Sequence, residues 1–285
     1  MKDYSLVFAA DIFEATRMCY EEPWNQYVPP FEVVSGVYYA AGIAWVGCYL
    51  VDTGDGLVLI DTAFHESVYL VVDAIWRLGY RPEDLKAIFL THIHMDHING
   101  ARALQELSGA KIYMSKRDLP HLRDKRLAYN DGSAGHMVYG EIEPDYFYED
   151  FGTICIGNIA FETIPSPGHT PGTTSIRFEV NDKTFGPLKV ALHGGLGLNT
   201  MSKDYLEGAN LPLSLRQEYL ESMDRLKKLR VDVCIPSHPC HFNILERLSQ
   251  KTEQYNPFID ETVWPTLLSS YEENLRDMMK KEGGE

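Results

Sequence analysis

The chain has 285 residues, enough for one large domain or two small ones, and its 45% hydrophobic content is ordinary for a globular protein with a substantial core. Its 41 Asp and Glu residues outnumber its 26 Lys and Arg residues, which gives a formal net charge of -15. Such a surface repels phosphate backbones and no basic run offsets it, so nucleic acid is excluded as an expected partner, whereas a small-molecule substrate is not.

The first residues and the cysteines predict where the protein resides. The apolar run at residues 6–10 is too short for a secretory signal and is flanked by acidic residues. No stretch approaches the roughly 18 apolar residues of a membrane span. The five cysteines are odd in number and widely spaced, without a C-x-x-C pair, which favours a reducing compartment. We therefore expect a cytoplasmic protein with no membrane partner, unless a leader has been trimmed from it.

Turn residues and apolar runs predict the first elements of the fold. Residues 33–39 and 44–51 have the composition of strands, and a further strand at residues 57–60 follows a turn rich in Gly and Asp. Residues 66–80 carry apolar side chains at helical spacing, so a helix is predicted there.

The densest group of metal-binding side chains follows the next predicted strand, at residues 87–90. His92 and His94 are two positions apart, so they point the same way in an extended chain. Asp96 and His97 come where a helix is predicted to begin. One strand-to-helix turn can therefore aim two ligands at one point and two more at a point beside it. Imidazoles with a carboxylate suit zinc, and they leave room for water.

The rest of the chain is predicted to alternate between helices and strands. Residues 124–150 are irregular and rich in aromatics, which predicts a lid or binding loop, and His136 is expected to be a loop residue rather than a ligand. No linker divides the chain, so we expect a single domain over residues 1–285, with a core at about 33–250 and a C-terminal helical extension at about 256–285. Helices are predicted at residues 98–107, 115–123, 214–229, 243–248 and about 261–281, and strands at 111–114, within 154–164, and at 174–180, 188–192 and 231–235.

The His-x-His-x-Asp-His pattern after a strand resembles the signature of the metallo-beta-lactamase fold superfamily. Three other stretches extend the resemblance over about residues 35–245: a strand that ends at Asp61, a Pro-Gly-His-Thr-Pro-Gly loop around His169, and a Ser-His-Pro stretch around His238. The resemblance implies an α+β fold, a four-layer α/β/β/α sandwich. It also implies that Asp61 supports the metal loop from beneath, a role compatible with capping a turn or helix.

The same resemblance implies a catalytic metal centre. Two zinc ions would be held by side chains of the matching motifs, the first by His92, His94 and His169 and the second by Asp96, His97 and His238. A hydroxide formed on the metal at neutral pH would attack an amide, lactam or ester carbonyl, and Asp96 would be the catalytic residue that orients it.

One part of the family's usual pattern is missing. Most dinuclear members carry a bridging Asp between the second and third ligand loops, where this chain has Gly194 and Gly195. That absence and an Asp-His-His second site are most similar to the third subclass of metallo-beta-lactamases, which usually has Ser where Gly195 stands. Without the bridge, we expect the second metal ion to bind more weakly. His193 could be an extra ligand, a substrate contact or a strand-end residue paired with a backbone carbonyl, and His241 is expected behind the ligands or on the surface.

Three functions remain open from the sequence. The first is a zinc-dependent hydrolase of lactam or ester carbonyls, with beta-lactamase activity as one form of it. The second is a cytoplasmic thioester hydrolase like glyoxalase II or a lactonase, although the missing bridging Asp argues against both. The third is a non-catalytic member of the fold that binds a metal or a ligand, against which the complete set of six ligands argues. The sequence indicates neither the substrate-binding residues nor the oligomeric state.

Overall fold

The structure, a computed structural model, describes residues 17–19, 21–123 and 142–283. Within these residues the backbone forms two β-sheets, of seven and five strands, with helices packed on them. His136 and most of the loop predicted at residues 124–150 lie outside the described residues.

The first sheet brings the ends of two parallel strands to one edge. Its strands follow chain order and are β1 Phe31–Val34, β2 Val37–Tyr39, β3 Tyr49–Asp52, β4 Leu57–Ile60, β5 Leu85–Phe89, β6 Lys111–Met114 and β7 Tyr146–Phe147. Neighbours are antiparallel from β1 to β4 and parallel from β4 to β7. Because β4 and β5 end side by side, Asp61 lies next to the loop that begins at Thr91.

The second sheet brings three loops to one edge. Its strands are β8 Ile154–Ile156, β9 Ile159–Pro165, β10 Thr174–Asp182, β11 Gly186–Leu192 and β12 Val233–Cys234, in the order β12-β11-β10-β9-β8. β10 is antiparallel to β9 and to β11, and β12 is parallel to β11. The loop between β9 and β10 and the segments after β11 and β12 therefore leave the sheet at the same edge. They carry His169, His193 and His238.

An apolar core holds the two sheets face to face. Phe89 of β5 meets Phe161 of β9 with ring centroids 5.1 Å apart, and Phe161 meets Phe178 of β10 at the same distance. Burying one such ring contributes about 1.5–3 kcal/mol. The core therefore lies between the sheets. The loops that leave the strand ends lie outside this core, where their polar side chains can form a site.

Helices cover the sheets on the sides away from this core. They are α1 Val68–Arg77, α2 Met95–Ile98, α3 Ala101–Ser108, α4 Lys203–Gly208, α5 Leu215–Leu226, α6 Ile244–Leu248 and α7 Val263–Lys281. α3 contacts β5 and β6, and α7 packs on β12 and on α5, where Trp264 donates its indole N–H to Leu226 O at 2.8 Å. Among the helices that the structure describes, none has an apolar stretch long enough to span a membrane.

These layers confirm the predicted α+β fold, a four-layer α/β/β/α sandwich. The predicted helix at residues 66–80 is α1, and the predicted final helix is α7. The single-domain organisation of residues 1–285 stays a prediction.

Two predicted strands of the first sheet differ from the structure in their extent. Residues 33–39 form the hairpin β1–β2 rather than one strand, because Gly36 has a φ of 78°, a left-handed conformation that interrupts a strand. The strand predicted from residue 44 begins only at Tyr49, because the preceding loop is tied elsewhere: Gly47 N–H donates to Ser237 O at 2.7 Å. The short helix α4 was not predicted.

The prediction of a helix at residues 115–123 is wrong. Only Leu119–His121 forms a 3-10 turn. The segment is instead tied to a distant loop, because the buried carboxylate of Asp118 accepts hydrogen bonds from Thr170 Oγ1 and Gly172 N, each at 2.7 Å. A buried carboxyl group requires such partners, and they outweigh the local preference for a helix.

Candidate metal centre

The first cluster of candidate ligands consists of His92, His94 and His169. One ring nitrogen of each lies within 4.8 Å of the others, and all three side chains are buried. The closest pair is His94 Nδ1 and His169 Nε2, 2.9 Å apart. The structure therefore brings together three residues that the sequence places on two loops.

Hydrogen bonds on the outer side of this cluster orient the rings. His169 Nδ1 donates to Gly197 O at 2.8 Å, so its Nε2 is left as a bare acceptor facing His94. The Nε2 atoms of His92 and His94 are buried and have no hydrogen-bond partner among the described residues. Leaving a buried nitrogen unpaired is costly, and a cation among the three rings would satisfy His92 Nε2. His94 would meet the same cation through Nδ1, the nitrogen that faces His169 Nε2. The cluster fits a zinc ion on this ground and on the chemistry of three imidazoles.

The second cluster consists of Asp96, His97 and His238. Asp96 Oδ2 lies 3.6 Å from Nε2 of each histidine, and the two Nε2 atoms are 3.4 Å apart. Both outer nitrogens are occupied: His97 Nδ1 donates to Asp61 Oδ2 at 2.7 Å, and His238 Nδ1 donates to Trp45 O at 2.8 Å. When these imidazoles are neutral, their inner nitrogens are therefore free of protons, as metal ligands must be.

The two clusters form one centre. The rings of His92 and His97, one from each cluster, have centroids 4.1 Å apart. A pair of cations held by the two clusters would therefore be neighbours, as in enzymes that use two metal ions.

Burial keeps the first cluster neutral. It lowers the pKa of His92 and of His94 well below 6.5, and it lowers the pKa of His169 to about 4. In each case the mutual repulsion of the imidazoles adds to the effect of burial. Neutral imidazoles at neutral pH are ready to bind a metal.

The second cluster has a different electrostatic character. Burial alone would lower the pKa of His97, but the carboxylates of Asp96 and Asp61 outweigh it and raise that pKa above 6.5. Burial would likewise raise the pKa of Asp96, but His97 and His238 outweigh it and lower that pKa below 3.8. Asp96 is therefore ionised at neutral pH.

Asp61 and Thr91 lie behind both clusters and contact the histidine loop, as the family resemblance implied for Asp61. Asp61 Oδ1 accepts the backbone N–H of Thr91 at 2.9 Å, and the Thr91 hydroxyl lies 2.8 Å from Asp61 Oδ2 and 3.0 Å from His92 Nδ1. One buried carboxylate thus contacts a candidate ligand of the second cluster and the residue that adjoins the first.

Glycines occupy the position where a bridging carboxylate was expected. A Cβ atom on Gly195 would lie 2.5 Å from His169 Cδ2, and one on Gly194 would lie 2.2 Å from Thr174 O. Position 195 therefore has no room for a side chain while His169 keeps its place, and position 194 has none while the backbone of Thr174 keeps its place. His193 is buried beside them, with Nδ1 accepting Gly195 N–H at 3.2 Å and Nε2 without a partner in the described structure.

Three residues at the centre were missed in the sequence. Trp45 contacts both Asp96 and His238, Thr200 donates its hydroxyl to His169 O at 2.8 Å, and Asp118 fixes the loop that carries His169. Burial raises the pKa of Asp118 to about 7. None of them belongs to a local motif, so their sequence neighbours carried no signal.

His241 lies behind His238, with ring centroids 5.4 Å apart.

Comparisons with known proteins agree with the resemblance found in the sequence. The sequence model described as the metallo-beta-lactamase superfamily matches residues 46–238. The uncharacterized protein YobT of Bacillus subtilis is 30% identical over 164 residues, which cover 55% of this chain and 67% of that protein. An N-acyl homoserine lactonase of Bacillus cereus is 26% identical over 163 residues, covering 47% of this chain and only 58% of the lactonase.

A solved structure extends the comparison to the fold. BJP-1, a subclass B3 metallo-beta-lactamase of Bradyrhizobium japonicum, superimposes with a TM-score of 0.80 over 92% of this chain and 97% of BJP-1. The two sequences are 24% identical, so this likeness concerns the fold alone.

Proposed function

The chain belongs to the metallo-beta-lactamase superfamily, and on that premise we propose that it is a zinc-dependent hydrolase of small molecules with an amide, lactam or ester carbonyl. The observation that supports this proposal most is the pairing of two adjacent clusters whose inner nitrogens and carboxylate converge. His92, His94 and His169 would hold one zinc ion, and Asp96, His97 and His238 would hold the other.

Zinc ions bound there would supply a water molecule with a pKa of about 7 and would polarise a carbonyl oxygen. The chain's own contribution is to orient the reacting groups. Asp96 is half-buried and ionised, so its carboxylate can accept a hydrogen bond from water and keep that water aimed at the substrate. The fixed ring orientations of His97 and His238 keep the centre in place without rearrangement.

A lactonase is the second candidate function, and the similarity to N-acyl homoserine lactonases favours it. The glycines at positions 194 and 195, where a bridging carboxylate was expected, oppose it. They favour a lactam-opening enzyme like the third lactamase subclass. A thioester hydrolase is opposed for the same reason.

We also propose the cytoplasm as the compartment. The thiols of all five cysteines are free, which is typical of proteins in a reducing environment.

Turnover assays on purified protein test the proposed function. Zinc-loaded protein is incubated with a chromogenic cephalosporin, an acyl-homoserine lactone and a glutathione thioester, beside a His169→Ala variant and a His121→Ala control. His121 lies outside both clusters. We expect hydrolysis of a lactam or ester substrate that is lost in His169→Ala and retained in His121→Ala. Two bound zinc ions with no turnover of any substrate would instead favour a binding protein.

A further inference from the structure

We propose that Trp45 is a positioning residue for the second cluster. By holding Asp96 and His238 in fixed orientations, it would compensate in part for the missing bridging carboxylate. Trp45 contacts two of the three candidate ligands. Its Nε1 donates to Asp96 Oδ2 at 3.2 Å, and its main-chain oxygen accepts from His238 Nδ1 at 2.8 Å. The inference rests on the proposed metal centre.

The indole N–H acts on the carboxylate oxygen that faces the cluster. Asp96 Oδ2 is the same oxygen that lies 3.6 Å from His97 Nε2 and from His238 Nε2. A carboxylate oxygen has two lone pairs, so it can accept the indole proton and still face a cation. The bond from Trp45 thus selects one orientation of the Asp96 carboxylate.

The main chain of Trp45 acts on the histidine. Because His238 Nδ1 donates to the Trp45 carbonyl, that nitrogen carries the proton and Nε2 is left bare toward Asp96. The indole ring also meets the imidazole edge-on, with centroids 5.5 Å apart. One residue therefore sets the tautomer of one candidate ligand and the rotation of another.

Trp45 is itself held against the segment that carries His238. Gly47 N–H donates to Ser237 O at 2.7 Å, and the Tyr49 hydroxyl donates to Pro236 O at 2.8 Å. The approach is so close that a Cβ on Gly47 would lie 2.4 Å from Pro236 O. The Trp45 loop and the His238 segment thus form one rigid unit.

This arrangement matters because the chain has glycines where a shared carboxylate was expected. A bridging anion would draw the second cation toward the first, and neither Gly194 nor Gly195 has room for one. The affinity of the second cluster then depends on how well its three ligands are pre-oriented, and removal of such outer contacts costs about 10- to 100-fold in metal affinity.

Zinc titration of metal-depleted protein against a chromophoric chelator tests the inference. Trp45→Phe removes the N–H donor and keeps both the ring and the main-chain oxygen. Trp264→Phe is the matched control, because its indole donates to Leu226 O outside both clusters. We expect Trp45→Phe to raise the Kd of the second zinc ion about 10- to 100-fold and to leave the first unchanged, with both constants unchanged in Trp264→Phe.

Equal zinc constants in Trp45→Phe and the wild type would overturn the role of Trp45 while leaving the metal centre intact. A wild type that binds no zinc would instead refute the centre. If Trp45→Phe does not fold, the wild type gives a second measurement: its four indole N–H resonances, assigned with Trp24→Phe, Trp76→Phe and Trp264→Phe. The Trp45 resonance should shift with the second equivalent of zinc, and a resonance that stays in place overturns the inference.

Discussion

Asp61 Oδ2 lies 2.7 Å from His97 Nδ1, on the side of the ring opposite the second cluster. The other oxygen of Asp61 accepts the backbone N–H of Thr91 at 2.9 Å. A residue at the end of β4 therefore fixes both the start of the histidine loop and the proton of a ring on that loop. Asp61 therefore determines which ring nitrogen of His97 carries the proton.

Replacing Asp61 by Asn should disable the second cluster with little change in shape. An amide N–H facing His97 Nδ1 makes that nitrogen an acceptor and moves its proton to Nε2, which then cannot hold a cation. We expect second-site zinc affinity to fall about 10- to 100-fold in a zinc titration. Asp52→Asn is the control, because Asp52 also accepts from a backbone N–H (Gly54) and a hydroxyl (Tyr80). Wild-type zinc affinity in Asp61→Asn would contradict the role of Asp61.

The two zinc ions should leave at different pH values. Asp96 and Asp61 raise the pKa of His97 above 6.5 against the effect of burial, so this ring must release a proton before it can bind metal. Affinity at the second cluster therefore falls as the pH drops through that raised pKa. Burial lowers the pKa of His169 to about 4, so the first cluster keeps its ion. Equilibrium dialysis between about pH 8 and about pH 5 should show loss of one zinc before the other; simultaneous loss opposes the assignment.

Gly195→Ala should weaken the first zinc site. The added Cβ would lie 2.5 Å from His169 Cδ2, so the imidazole must move away from His92 and His94. We expect weaker first-site zinc binding by about 10-fold or more, because ligand orientation sets affinity. Gly152→Ala is the control, since a Cβ at that position meets nothing within 4 Å. Equal zinc binding by both variants would show that the contact is easily relieved.

Asp118→Asn should change how stability depends on pH in metal-depleted protein. Burial raises the pKa of Asp118 from 3.8 to about 7, so between these values the folded state holds a proton that the unfolded state has lost. The free energy of unfolding contributed by this group falls as the pH rises through that window, by up to about 1.4 kcal/mol per pH unit.

Asn does not titrate, so wild type should lose stability relative to Asp118→Asn from about pH 4 to about pH 7 and show a constant difference above it. Urea unfolding at a series of pH values measures this difference. A difference that does not vary with pH would show that Asp118 titrates normally.

The sequence predicted correctly those strands and helices that begin or end at a turn residue or at the metal-binding motif. The strand at residues 57–60 was predicted with the bounds it has, because it is an apolar run between Gly56 and Asp61. The strand at residues 111–114 also has its predicted bounds, and its side chains alternate between exposed or half-buried and buried positions. The helix at residues 115–123 failed because the side chain of Asp118 bonds to Thr170, far away in sequence.

The candidate ligands were found because they sit in short, dense motifs. The residues that orient them were missed because their partners are distant in sequence: Trp45 precedes Asp96 by 51 positions and His238 by 193. Asp61 was found because the resemblance to a family supplied that signal.

Anomalous scattering from crystals of the zinc-loaded protein tests the central claim most directly, because it locates the metal ions independently of activity. Two zinc peaks are expected, one among the ring nitrogens of His92, His94 and His169 and one beside Asp96, His97 and His238. Crystals soaked in zinc that show no peak at either cluster, with His169 or His238 turned away from Asp96, would contradict it.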